Sequence, residues 1–259
     1  GVRLAGGETL PAETVVFNGD VHALASGLLG DGARRAVPPT PRDERSISAV
    51  VWSLKAEARG FPLIRHTVFF DAGDYAREFD AIFRERRTPD APTAYVCAQD
   101  RGEDPAEGLG AERLHIHVNA PADGDESRPD EKEIARCATR SFDLMRRCGL
   151  EVETTPEATV LTTPRAFETL FPATGGALFG RVTHGPMGAF GRPAARTRVP
   201  GLYVAGGSAH PGAGVPMAAM SGRLAADAAC SDRASTRRFR PAGISGGTST
   251  RSRTTEPAR

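Results

Sequence analysis

The sequence predicts an α/β protein, and three observations carry that prediction. Near the C-terminal end a brief apolar run, Leu202–Ala205, passes through a glycine-rich turn into a run of small residues that begins at Val215. That is the pattern of a buried strand, a tight turn and a helix. Further upstream, apolar residues recur with helical spacing at Tyr75, Phe79, Ile82 and Phe83, and again along Glu131–Cys148. Between these stretches, short runs rich in apolar and β-branched residues read as strands. A chain of 259 residues, 39% hydrophobic and 25% charged, can bury a sizeable core in one or two domains.

Each element follows from local pattern. Leu4 and Leu10 flank Gly6-Gly7, so the first ten residues read as a hairpin, and Val15–Phe17 as a short strand. Ser46–Leu54 and Leu63–Phe70 read as strands, the first alternating only loosely. Tyr75 to Phe83 is a helix with one apolar face, and Thr93–Cys97 and Arg113–Asn119 are further strands. Glu131–Cys148 is the longest helix of the middle region, with Ile134, Ala138, Ser141, Met145 and Cys148 as its inner stripe. Gly149 follows as a C-cap, and Arg146 and Arg147 suit the last turn. Thr159–Thr162 is one more strand, and Pro164 opens a short helix ending near Phe171. Val215–Ala229 is a helix that tolerates Pro216 because it lies in the first turn. Ser231–Arg259 carries dispersed arginines among Ser, Thr, Gly and Pro, and reads as a disordered basic tail or a frameshifted end. Weak attraction of that tail to anionic lipid is the alternative.

Composition excludes several classes. A net charge of +1 gives no bulk electrostatic case for nucleic acid. No apolar run approaches the ~18 residues of a membrane span, and the residues from Gly1 onward do not read as a signal peptide. Cys97, Cys137, Cys148 and Cys230 lack Cys-x-x-Cys spacing; Cys137 and Cys148, eleven apart near one helical face, read as small core residues rather than a disulfide or metal pair, and the pattern fits a reducing cytoplasm. His115 and His117 share one face of a strand, a spacing metals use, but no acidic or Cys partner completes a set nearby, so no metal is expected. His66 reads as a hydrogen-bonded structural histidine.

Gly206, Gly207, Gly212 and Gly214 let the backbone turn tightly and let another molecule approach it. A helix N-terminus reached through glycines presents free N–H groups and partial positive charge. It suits a phosphate or the pyrimidine side of a reduced flavin. The same strand–turn–helix unit also occurs with no ligand.

Leu202-Tyr-Val-Ala-Gly-Gly-Ser-Ala-His-Pro-Gly-Ala-Gly-Val-Pro-Met217, followed by Ser221-Gly222 and Ala225-Ala226, resembles the C-terminal flavin motif of bacterial carotenoid desaturases, within the phytoene-desaturase and amine-oxidase superfamily. Gly60–Phe70, Asp74-Tyr75 with Glu78–Asp80 and Ile82-Phe83, Pro92–Arg101 and Val118–Pro121 resemble the hydroxyneurosporene or methoxyneurosporene desaturases. The likeness runs from about Gly1 to about Ala229. No Gly-x-Gly-x-x-Gly fingerprint is present, so the chain resembles the C-terminal half of such an enzyme.

The resemblance implies a partial Rossmann-like FAD-binding domain joined to a mixed-sheet α+β substrate domain. Residues 1–26 would be a returning segment of the FAD domain, 27–173 the substrate domain, 174–230 the C-terminal FAD segment, and 231–259 the tail. It implies FAD as cofactor, contacted by Gly206, Gly207, Ser208, His210, Pro211, Gly212, Gly214, Val215, Pro216 and Met217. His184 would lie near the cofactor and the carotenoid channel. No residue is identified as catalytic. The implied activity is desaturation of a hydroxy- or methoxy-neurosporene. A phytoene-type desaturase or carotenoid isomerase is the alternative enzyme, and a truncated remnant unable to bind FAD alone is the alternative of another class. The implied partners are a carotenoid, a membrane surface on the cytoplasmic side and the missing N-terminal half. Phe61, Phe69, Phe70, Phe167, Phe171, Phe179, Met187 and Phe190 are candidates for an apolar tunnel, with core packing as the competing role for each.

Overall fold

The structure is a computed structural model that describes residues 1–71, 73, 75–103, 110–126, 131–183 and 188–238. The chain opens with an antiparallel hairpin of β1 (Val2–Arg3) and β2 (Thr9–Leu10). There follow β3 (Val15–Phe17), α1 (Val21–Ala25) and α2 (Asp31–Arg34). Asp20 starts α1 as an N-cap whose carboxylate accepts from the His22 N–H. The middle of the chain holds β4 (Ser48–Arg59), β5 (His66–Phe69), α3 (Tyr75–Phe83), β6 (Ala94–Ala98) and β7 (Ala111–Ala120). Next come α4 (Glu131–Arg147), β8 (Glu151–Val152), β9 (Thr159–Thr162) and α5 (Pro164–Leu170). The described chain closes with β10 (Leu202–Val204) and α6 (Val215–Arg238).

Strands β5, β6, β7, β4 and β8 lie in that order in an antiparallel six-stranded sheet, with β9 also paired to β4. Register sets Val50 opposite Val118, Trp52 opposite Ile116 and Leu54 opposite Leu114. All six are buried, and Ile134, Cys137, Leu144 and Met145 of α4 close over them as one core. The opposite face presents Ser53, Tyr95, His115 and His117. At its Asn119 end it meets α3, where the buried Glu78 accepts from the Asn119 side-chain amide at 2.8 Å, the Thr93 N–H at 3.0 Å and the Thr93 hydroxyl.

The second region is smaller. β10 pairs in parallel with β3, placing Tyr203 beside Val16. Val204 packs toward α1 with Val21, Leu24 and Ala209, while Tyr203 and Ala205 pack against Ala225, Ala228 and Ala229 of α6. The two sides of one short strand thus hold two different helices, as a buried parallel strand requires.

The α/β reading holds, and several details differ from it. The first long strand continues past Leu54 to Arg59 because ten residues of β7 pair along it, from Ser48 with Ala120 to Glu57 with Ala111. The second strand is shorter than Leu63–Phe70. In α4 the buried stripe is Ile134, Cys137, Ser141, Leu144 and Met145. Ala138 is at the margin and Cys148 is exposed, since the helix ends at Arg147 and Gly149 turns the chain at a φ of +94°. Of the pair expected in the core, Cys137 is buried and Cys148 is not; Cys97 is half-buried and Cys230 exposed. Residues 231–238, expected in the disordered tail, continue α6. The rest of that tail and His184 and Met187 lie outside the described residues. Among the described residues, no helix is long and apolar enough to cross a membrane.

Candidate active site

The glycine-rich turn is built from both sides. Ser221, one turn into the buried face of α6, accepts from the Gly206 N–H at 3.2 Å. Ser208 is buried, and its hydroxyl accepts from the Val21 N–H at the start of α1. The His210 N–H donates to the Pro193 carbonyl at 2.8 Å, and its ring stacks on Phe190 with centroids 6.3 Å apart. The peptide between His210 and Pro211 is cis. Ser208 therefore faces inward, whereas Gly214, Val215, Pro216 and Met217 stand at the exposed entrance to α6. The first intrahelical bond runs from the Ala218 N–H to the Gly214 carbonyl. The N–H groups of Val215 and Met217 precede it and lack helical partners.

Gly214 has a φ of +104°, and a Cβ added there would meet nothing within 4 Å. Gly212, with a φ of +136°, would place a Cβ 3.2 Å from Arg192 Nε. The turn thus combines left-handed backbone, open space at Gly214 and first-turn N–H groups without helical partners. That cradle fits the electron-rich edge of a flavin ring.

A cleft of about 450 Å³ opens beside the turn. Pro211, Gly212 and Ala213 form one wall; Phe79 and Phe83 of α3, Ile47, Phe179 and Val182 supply the apolar part of the rest, and Ser46, Arg181, Thr183 and Arg192 the polar part. A larger cavity, of about 650 Å³, is lined by Trp52, Ile134, Ala138 and Leu161 on the α4 side of the sheet and touches none of the turn residues. Chemistry at the turn therefore belongs to the smaller cleft.

Of the aromatic candidates, Phe179 reaches the cleft. Phe61 and Phe69 pack edge-to-face 5.0 Å apart within the sheet core. Phe70, Phe171 and Phe190 are exposed. His66 is exposed and its Nδ1 shares a hydrogen bond of 2.6 Å with the Tyr95 hydroxyl. His115 and His117 do share a face, their rings 5.9 Å apart, and burial pushes both imidazoles below their ordinary value. The next groups along that face are Ser53 and Tyr95.

Sequence reasoning missed Arg192. It lies in Phe-Gly-Arg-Pro, with no periodic signal to mark it. It is only 8% exposed and lines the cleft next to Gly212. Its Nη1 donates to the Phe179 carbonyl at 2.6 Å and the Gly207 carbonyl at 3.0 Å. It thereby ties the turn to the segment before it. Ile47, Phe79 and Phe83 were also missed as cleft residues, because their meeting with the turn depends on tertiary packing alone.

A parallel strand, a glycine turn and a helix N-terminus beside a cleft of mixed polarity form a site that fits a nucleotide cofactor. Residues 1–230 match the family described as flavin containing amine oxidoreductase, and the chain belongs to that family. Its cofactor is accordingly a flavin, FAD. The chain is 57% identical over 258 residues to a hydroxyneurosporene desaturase of Rubrivivax gelatinosus, covering 98% of this chain and 48% of that protein. It is 49% identical over 237 residues to a hydroxyneurosporene desaturase of Cereibacter sphaeroides, covering 91% and 46%. A third hydroxyneurosporene desaturase, of Rhodobacter capsulatus, is 43% identical over 234 residues, covering 90% and 46%. The chain spans about half the length of these relatives.

Proposed function

We propose that the chain is the flavin-ring and substrate-facing part of an FAD-dependent carotenoid desaturase acting on a hydroxy- or methoxy-neurosporene at a membrane surface. The observation that carries this reading is the cleft itself. It sets Pro211–Ala213 of the glycine turn against the apolar Ile47, Phe79, Phe83 and Phe179. A long polyene needs such a wall beside the flavin, and family membership and the three relatives' names point the same way.

On this reading, residues 27–173 position the polyene, and residues 1–26 with 174–230 hold the cofactor. Gly206, Gly207, Gly212 and Gly214 shape the seat, and the N–H groups of Val215 and Met217 face the ring. Ser208 and His210 hold the turn in place through Val21 and Pro193. When bound, FAD would supply a hydride acceptor, so that desaturation removes one hydrogen as hydride and the adjacent one as a proton, which leaves at the open mouth of the cleft as the C=C bond forms. The apolar wall excludes water and orients the two carbons; the conjugated polyene disperses the developing positive charge. No general base in the cleft is required.

Full-length protein containing this chain, supplied in membranes with hydroxyneurosporene or with phytoene, tests the reading. Absorption moving to longer wavelength with hydroxyneurosporene and little change with phytoene is the expected result. Efficient conversion of colourless phytoene with hydroxyneurosporene untouched overturns it.

A further inference from the structure

Arg192 poses a problem that the glycine turn does not solve. A guanidinium cannot shed its charge, and one that is only 8% exposed is costly unless paired. Among the described residues no carboxylate stands at ion-pair distance from it. Asp20, whose charge reaches it through space, is committed to the N–H and Nδ1 of His22. Among the described residues its acceptors, the carbonyls of Phe179 and Gly207, both lie on Nη1. Nε would lie 3.2 Å from a Cβ added to Gly212, and the group lines the cleft with Pro211–Ala213. Burial accordingly presses its pKa below the ordinary arginine value, a cost that an electron-rich partner in the cleft would remove.

We propose that Arg192 is the cationic partner of the flavin's pyrimidine edge, stabilising the negative charge that the ring carries after it takes hydride. Nη1 anchors the guanidinium to the turn, and the group lines the same cleft as Gly212. The two positive elements act together: a helix end contributes about half a charge, and Arg192 a full one. The assignment rests on the flavin reading above. It makes Arg192 a determinant of redox poise as well as of folding, which distinguishes it from Ser208 and His210.

The test uses full-length protein containing this chain, with FAD bound. Arg192→Lys keeps the charge; Arg192→Gln keeps a hydrogen-bond donor and loses it. The expected result is that R192Q shifts the two-electron equilibrium of bound FAD at least tenfold toward the oxidised form, a fall of about 30 mV, while R192K stays within a factor of about three of the parent. If R192Q releases its FAD, the order is read from retention instead. R192K then retains FAD, R192Q does not, and the two apo forms unfold at the same temperature. An unchanged potential in flavin-loaded R192Q overturns the assignment, even where its affinity for FAD falls, because the arginine then serves a phosphate or the fold alone. Equal loss of FAD from R192K and R192Q with lowered unfolding temperatures of both apo forms also overturns it. Failure of the parent protein to bind FAD refutes the flavin reading itself and is recognised before either variant is made.

Discussion

The antiparallel sheet and the β3–β10 pair solve the same problem, covering apolar strands, with different completeness. In the sheet, β4 and β7 pair over their lengths, α4 covers one face and α3 part of the other. The β3–β10 pair is two-stranded and three residues deep. The helix beside it, α6, keeps Val215 86% exposed, with Met217, Met220 and Leu224 also on the surface. Parallel sheets are normally buried on both faces within a larger assembly. The difference teaches that packing and the proposed function are unevenly distributed: the sheet region carries most of the packing, and the small region carries the glycine turn proposed to seat the flavin.

The sharpest way to break that contrast is to remove a charge from the better-packed region. Arg101 and Glu112 have side chains only 2% exposed and form a two-pronged pair at 2.6 and 2.8 Å, with Arg101 also donating to the Leu63 carbonyl. Glu112→Ala leaves a buried guanidinium without its carboxylate and is expected to destabilise the chain by about 3–5 kcal/mol. Val215→Ala, at the exposed start of α6, is expected to change stability by less than about 0.5 kcal/mol. Urea unfolding of both variants checks this, and equal effects would remove the proposed division of labour.

A second comparison lies within the small region. Gly214 and Gly222 both have room for an added methyl group, but only Gly214 has a positive φ. Gly214→Val forces a branched residue into left-handed backbone and is expected to cost about 1–3 kcal/mol. It also fills the proposed seat, so full-length protein with this change is expected to purify without flavin. Gly222→Ala lies in a helix and is expected to gain up to about 1 kcal/mol. Thermal unfolding and flavin absorbance read both; flavin retained at parental level in Gly214→Val would make the turn purely structural.

Much of this was legible because it is local. The glycine turn and the amphipathic run of α4 depend on neighbouring residues, and each appears within a residue or two of its expected place. What was illegible depends on pairing between distant segments. Lys55 and Glu57 make the end of β4 look like a loop, yet Ala56 and Ala58 continue it because β7 and β8 pair there. Nothing local marks Arg101 and Glu112 as buried partners, since both are of types that usually sit in water. Arg192 was missed for the same reason: its importance comes from Gly212 and Phe179 meeting around it. The error in the α4 stripe has a smaller cause. A stripe through Leu144 and Cys137 fits helical spacing as well as one through Ala138 and Cys148, and only the sheet beneath decides between them.

The smallest expected effect concerns the sheet face opposite α4, where His115 and His117 sit. Burial lowers both imidazole pKa values from 6.5, and the charge of His115 adds to the shift of His117. The unfolded chain therefore takes up more protons than the folded one as pH drops through that range. Stability from these two groups is fully present above pH 6.5 and is lost as pH falls toward their folded values. Replacing His117 by Gln removes one titrating group and leaves every other pH-dependent group in place. The loss of urea midpoint between pH 7.5 and pH 5.5 (~2 units, spanning the ordinary histidine range) is expected to be smaller in His117→Gln than in the parent, whatever the variant's absolute stability. An equal loss in both would mean that the imidazole stays as accessible to protons in the fold as in the unfolded chain, and that this face of the sheet is wetter than its partners suggest.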